Sequence, residues 1–188
     1  MKNKLKFIKK KQLEKLNKPI IDAYDLEDVI NELEALLKVN SYLLSFCSIC
    51  GMVNGSFTIS PDTPTEYLIN GIYLDQKDLI VIPLSMGHVD ENKRLIFQKA
   101  TREQMIFHLA HEMRHRYQFM YEREKYYNDQ YTFGNDTLYD ESEIDADAFA
   151  FAFLQKNNIA FDEKKFAKQF LYDYQRRYNL AKKIIKKE

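Results

Sequence analysis

Cysteine is scarce in this chain: only Cys47 and Cys50 occur, in the stretch FCSICG. A structural zinc knuckle needs a second pair of ligands of this kind, so a lone C-x-x-C does not make one. A thioredoxin-like redox motif needs a βαβ setting that the flanking residues do not offer, so the pair reads as reduced structural cysteines, with a redox role or an intersubunit metal site as the competing readings. Net charge is also missing, with 28 basic and 28 acidic residues among 188. That balance gives no general pull toward nucleic acid. No apolar run is long enough to span a bilayer, and no internal repeat or low-complexity linker divides the chain. What remains is one domain over residues 1–188, 45% apolar or aromatic, which is a globular composition. Its basic segment, residues 1–18, carries eight lysines in MKNKLKFIKKKQLEKLNK. It lacks the apolar stretch of a signal peptide and reads as a solvated tail or helix end, with a nucleic-acid or acidic-lipid contact as the competing reading. The expectation is a cytoplasmic protein with no membrane contact.

The order of elements predicts an α+β fold. DLEDVINELEALLKV (25–39) spaces Val29, Ile30, Leu33, Leu36 and Leu37 as one helix face, with Asp25 as its expected N-cap. Strand signals then fall between residues 45 and 98. Asn54-Gly55 marks a hairpin, two β-rich runs flank the polar turn 75–78, and RLIFQ (94–98) is a further strand. These predict a small antiparallel sheet. TREQ (101–104) is a capping box that opens a helix running to the mid-120s, with no proline or glycine to stop it. Another helix is expected near residue 140, and a last amphipathic one in FDEKKFAKQFLYDYQRRYNLAKKIIKK.

Histidine is rare too, with four residues, yet three of them lie in HLAHEMRHRYQF (108–119). On the helix after Thr101, Ile106, Leu109, Ala110, Met113, Tyr117 and Met120 form the expected core stripe. His111 and His115 leave the other side one turn apart, near enough to bind one Zn²⁺ together. Glu112, rotated by about 100°, falls beside the open position of such a metal rather than on it. The alternative is a solvated polar face. A catalytic zinc needs a third protein ligand, and DESEIDADAFA can supply it. Glu143 and Asp147 share a helical face, so Glu143 can ligate while Asp147 accepts a hydrogen bond from His111. Acids at a helix N-terminus are favoured in any case. The small residues Ala146 and Ala150 on the same face point further, to close approach of two helices.

HEMRH followed by EIDADAFA resembles the gluzincin metallopeptidases, and most closely their small ImmA/IrrE-like (minigluzincin) branch, whose second motif runs E-x-x-A-[N/D]-x-F-A. Glu143, Ala146, Asp147, Phe149 and Ala150 match its fixed positions, and the resemblance spans residues 45–155. Arg114 stands where that pattern often has glycine, and AFLQKNN departs from its usual ending. The resemblance implies a zincin-like fold in which a small sheet packs on the active helix. It also implies His111, His115 and Glu143 as Zn²⁺ ligands, Glu112 as catalytic base and Asp147 as support for a ligand.

The expected activity is zinc-dependent hydrolysis of a protein or peptide substrate by an endopeptidase. The expected oxyanion donor is left among His108, Tyr126, Tyr127, Tyr131 and Tyr139. Leu79–Leu84 (LIVIPL) is a candidate edge strand for holding an extended substrate, since Pro83 suits an edge; the alternative is an ordinary sheet strand. The competing function is a catalytically silent, metal-containing binding or regulatory module, against which the intact Glu112 speaks. Nucleic-acid binding through the lysines is the other competitor.

Overall fold

Among the described residues, left-handed residues other than glycine end the first two helices. A computed structural model describes residues 10–47, 50–53, 56–58, 67–69, 71–89, 95–124, 126 and 141–160. Helix α1 (Lys10–Tyr24) ends in a left-handed residue, Asp25, at φ 50°. The Leu26 N–H bonds Ile21 O and the Asp25 N–H bonds Asp22 O, the paired bonds of a Schellman motif. Asp25 is therefore the stop signal of α1 and not the N-cap of α2. Helix α2 (Glu27–Leu37) follows Leu26 with no side-chain cap, and Glu27 and Asp28 in its first turn favour that end of the dipole. Lys38 (φ 52°) closes α2 by the same device.

The basic segment becomes helical from Lys10, and burial of Leu13 and Asn17 docks it on the sheet. Asn17 Nδ2 donates to Leu44 O at 2.7 Å, on the first strand. From residue 10 onward the segment is thus part of the fold, not a free tail.

Among the described residues eight short strands follow: β1 (Leu43–Cys47), β2 (Cys50–Val53), β3 (Ser56–Thr58), β4 (Tyr67–Ile69), β5 (Ile72–Leu74), β6 (Leu79–Pro83), β7 (Ser85–Val89) and β8 (Leu95–Lys99). They form a sheet β1-β6-β5, an antiparallel sheet β3-β2-β4 and a hairpin β7-β8. The pairing of Val53 with Ser56 brackets the Asn54-Gly55 signal. β5 and β6 are antiparallel around a 3₁₀ turn at Asp75–Lys77, with Asp78 left-handed at φ 45°. The sheet is not wholly antiparallel as expected. β1 runs parallel to β6, Leu43 opposite Leu79 and Cys47 opposite Pro83. Parallel pairing needs a long crossover rather than a tight turn, and residues 48–78, which include other strands, provide it.

β6 is consequently a central strand, and the expectation that Leu79–Leu84 forms an edge is overturned. Ile80, Val81 and Ile82 are buried between neighbours on both sides. Pro83 is tolerated as the last residue of the strand, and the Leu84 N–H continues the ladder to Cys47 O at 2.7 Å. Cys47 is half-buried, and its Sγ lies 4.0 Å from Ile82 O.

Helix α3 (Arg102–Tyr121) starts at the Thr101 capping box: the Thr101 hydroxyl accepts from the Gln104 N–H, and the Thr101 N–H donates to Gln104 Oε1. It packs on α2, β5, β6 and, most extensively, on α4 (Glu141–Lys156). The fold is α+β, with Leu26, Leu33, Ile80, Ile82, Met105, Ile106, Leu109 and Met113 at its centre. The expected C-terminal amphipathic helix lies outside the described residues. Among the described residues no helix is long and apolar enough to cross a membrane.

Candidate metal centre

Helix α3 is covered on nearly every side. Ile106, Leu109, Ala110 and Met113 form the expected stripe, while Met120 is exposed and Tyr117 only half-buried. The other side is buried as well, which sets aside the alternative of a solvated polar face: His111, Glu112, Arg114, His115, Arg116 and Gln118 all lie inside. Helix α4 covers His111, Arg114, His115 and Gln118, while Gly71 and Tyr73 lie against Glu112 and Asp78 against Arg116. Ala146, Ala148, Ala150 and Ala152 are buried, and such short side chains let two backbones approach. The Phe107 and Phe151 rings meet at a tilt across the helix pair with centres 4.9 Å apart.

At this contact the residues singled out by spacing converge. His111 Nε2 lies 3.2 Å from Glu143 Oε2, and His115 Nε2 lies 3.2 Å from Glu143 Oε1. The two Nε2 atoms are 2.9 Å apart. His111, His115 and Glu143 form a group that can hold a metal ion. Bonds of ~2.0–2.1 Å to a tetrahedral cation leave ligand atoms roughly 3.3–3.4 Å apart, close to the separations found. Glu143 is the most open of the three, with 43% of its side chain exposed.

The outer nitrogens make the fit more specific. His111 Nδ1 lies 2.8 Å from Asp147 Oδ1. This is an ion-pair contact in which the N–H is not aimed squarely at the oxygen. His115 Nδ1 lies 2.9 Å from Gln118 Oε1. Both Nδ1 atoms face acceptors, so both neutral rings carry their proton there and turn a bare Nε2 lone pair inward. Two lone pairs and a carboxylate then share one small space, an arrangement that a cation relieves.

Electrostatics of the unloaded group agree. Burial opposes charge on His111, but Asp147 and Glu143 outweigh it and hold its pKa well above the usual value. Burial also works against His115, and Glu143 outweighs it in the same way. Partial burial works against ionisation of Glu143, yet the His115 and His111 rings hold its carboxyl well below the usual range. Protons on the imidazoles thus balance the Glu143 and Asp147 carboxylates in the unloaded group.

Glu112 is not one of the three. Its carboxylate is buried, and burial raises its pKa despite the opposing His111 and His115. The backbone N–H of Tyr73, on β5, donates to it. Just before β5, Gly71 passes so near that a Cβ built on it would stand 2.7 Å from Glu112 Oε1.

His108 is half-buried, edge-on to Phe107. Burial, with His111 adding to it, pushes its pKa down to about 3, so it is neutral, and it does not join the three-residue group. Tyr126 is buried with its ring centre 6.4 Å from that of His115. Tyr127, Tyr131 and Tyr139 lie outside the described residues. Reading by residue type overlooked Gln118 and Asp145, because a glutamine three residues past His115 and an acid in an acidic helix start resemble solvent-facing residues. The one available signal was the i, i+3 spacing from His115 to Gln118. No protein family, curated protein or solved structure matches this chain.

Proposed function

We propose that the chain is a zinc-dependent peptidase of zincin-like architecture, acting on a protein or peptide substrate with Glu112 as general base. Two imidazoles and one carboxylate are the donor set of many catalytic zinc sites, which keep a further position open. His111, His115 and Glu143 would hold a zinc ion, which would supply Lewis acidity toward a scissile carbonyl and the attacking water. Glu112 takes the proton of that water and delivers it to the leaving amine. The burial that raises its pKa suits it to hold a proton between the two transfers. Asp147 holds the His111 ring through Nδ1 and increases its basicity as a ligand. β5 borders only β6 among the described strands and lies against Glu112 through Gly71 and Tyr73. It replaces β6 as the strand along which an extended peptide would lie.

The observation that carries this reading is the placement of a buried, unligating carboxylate, Glu112, beside a complete ligand set. A silent binding module has no need of it. The test is Glu112→Gln on the full chain, assayed for peptide-bond cleavage and metal content. Zinc content should be unchanged and cleavage should fall by at least ~10³-fold. Cleavage at the wild-type rate would exclude Glu112 as the base.

A further inference from the structure

Behind His115 runs a buried polar chain that metal ligation alone does not explain. Gln118 is fully buried, and Arg114 and Asp145 nearly so. Gln118 Nε2 lies 2.9 Å from Ser142 O and 2.8 Å from Asp145 Oδ2. A carbonyl and a carboxylate only accept, so the amide nitrogen must face them and Oε1 must face His115 Nδ1. Asp145 Oδ2 in turn accepts from Arg114 Nε at 2.7 Å. Arg114 is flanked by the Tyr117 and Phe149 rings, its guanidinium carbon 4.5 and 5.9 Å from their centres, and by Glu122 at 3.4 Å.

We propose that Arg114, Asp145 and Gln118 act as positioning residues for metal binding, fixing which nitrogen of His115 is offered to the metal. This rests on the metal reading above. Each link constrains the next. The Arg114 cation keeps Asp145 an acceptor, Asp145 and Ser142 O orient the Gln118 amide, and the amide oxygen requires a proton on His115 Nδ1. Nε2 is then left bare toward His111 and Glu143. The chain also joins α3 to the first turn of α4, the turn that carries Glu143, so ligand orientation and helix docking are set together. Stability alone is a poor reason for such a chain, since buried ion pairs gain little over apolar side chains of the same volume.

The test uses zinc alone on full-length protein. Affinity is measured by chelator competition, and the Nδ1–H of His115 is followed by NMR in ¹⁵N-histidine-labelled, zinc-loaded protein. Wild type should show an exchange-protected Nδ1–H. Gln118→Met, of similar volume but without the acceptor, should lose that protection and bind zinc ~10–100-fold more weakly. Unchanged affinity and unchanged Nδ1–H in Gln118→Met would overturn the proposal. If Gln118→Met does not fold, wild type decides: an Nδ1–H exchanging as fast as in free imidazole overturns it. Wild-type protein that takes up no zinc would remove the metal reading itself, and this proposal with it.

Discussion

Gly71 and Glu112 show how little room the centre leaves. Gly71 is not in the left-handed region, so alanine suits its backbone, but the added Cβ would stand 2.7 Å from Glu112 Oε1. Glu112 is buried and must be displaced. Gly71→Ala should therefore retain zinc, which Glu112 does not ligate, while kcat falls by roughly 10–100-fold, the cost of misplacing a reacting group by a fraction of an ångström to an ångström. Metal analysis beside steady-state kinetics checks this, and an unchanged kcat would show that Glu112 has freedom to spare. His111, His115, Glu143 and Asp147 were legible because helical spacing of four places each pair on one face, whatever the tertiary context. Gly71 was not legible: its role depends on a strand meeting a helix some forty positions later in the sequence. Gln118 escaped because nothing about glutamine announces that α4 will cover it.

Elements announced themselves where their signals were local. The Thr101 box marked the start of α3, and the 3₁₀ turn and hairpins fell at their turn residues. What failed was long-range: the parallel β1–β6 pair and the central place of β6. The misplaced cap at Asp25 has a more local cause, since an aspartate between two helices serves equally as an N-cap or as a left-handed terminator. Three helices end in left-handed residues other than glycine, at Asp25, Lys38 and Asn158. Lys38 is exposed and gains nothing from the conformation. Lys38→Gly should stabilise the fold by roughly 0.5–1 kcal/mol, as relief of αL strain outweighs the added freedom of the unfolded chain. Chemical denaturation measures this, and a loss of stability would mean that the lysine side chain contributes more than its backbone costs.

For the whole molecule, the centre couples stability to pH in opposite senses with and without metal. In metal-free protein the raised pKa values of His111 and His115 mean that the folded state holds protons the unfolded chain releases. That contribution is fully present below the ordinary histidine value of 6.5 and is lost as pH rises through the raised folded values. The raised Glu112 acts in the same sense above 4.5. The lowered Glu143 contributes above 4.5 and loses its contribution only as pH falls through its depressed value. Zinc, in contrast, requires unprotonated imidazoles, so its stabilisation grows as pH rises. Thermal melts from pH 6.5 to 8.5 should show a falling Tm for metal-free protein and a rising gap between it and protein with excess zinc; parallel curves would disconnect the histidines from metal.

The most direct measurement is elemental analysis of purified full-length protein against its ligand variants. About one zinc per chain is expected in wild type, with loss of that zinc in both His111→Ala and Glu143→Ala while the fold persists by circular dichroism. Wild type without bound metal in the presence of zinc, or variants that retain it, would contradict the account.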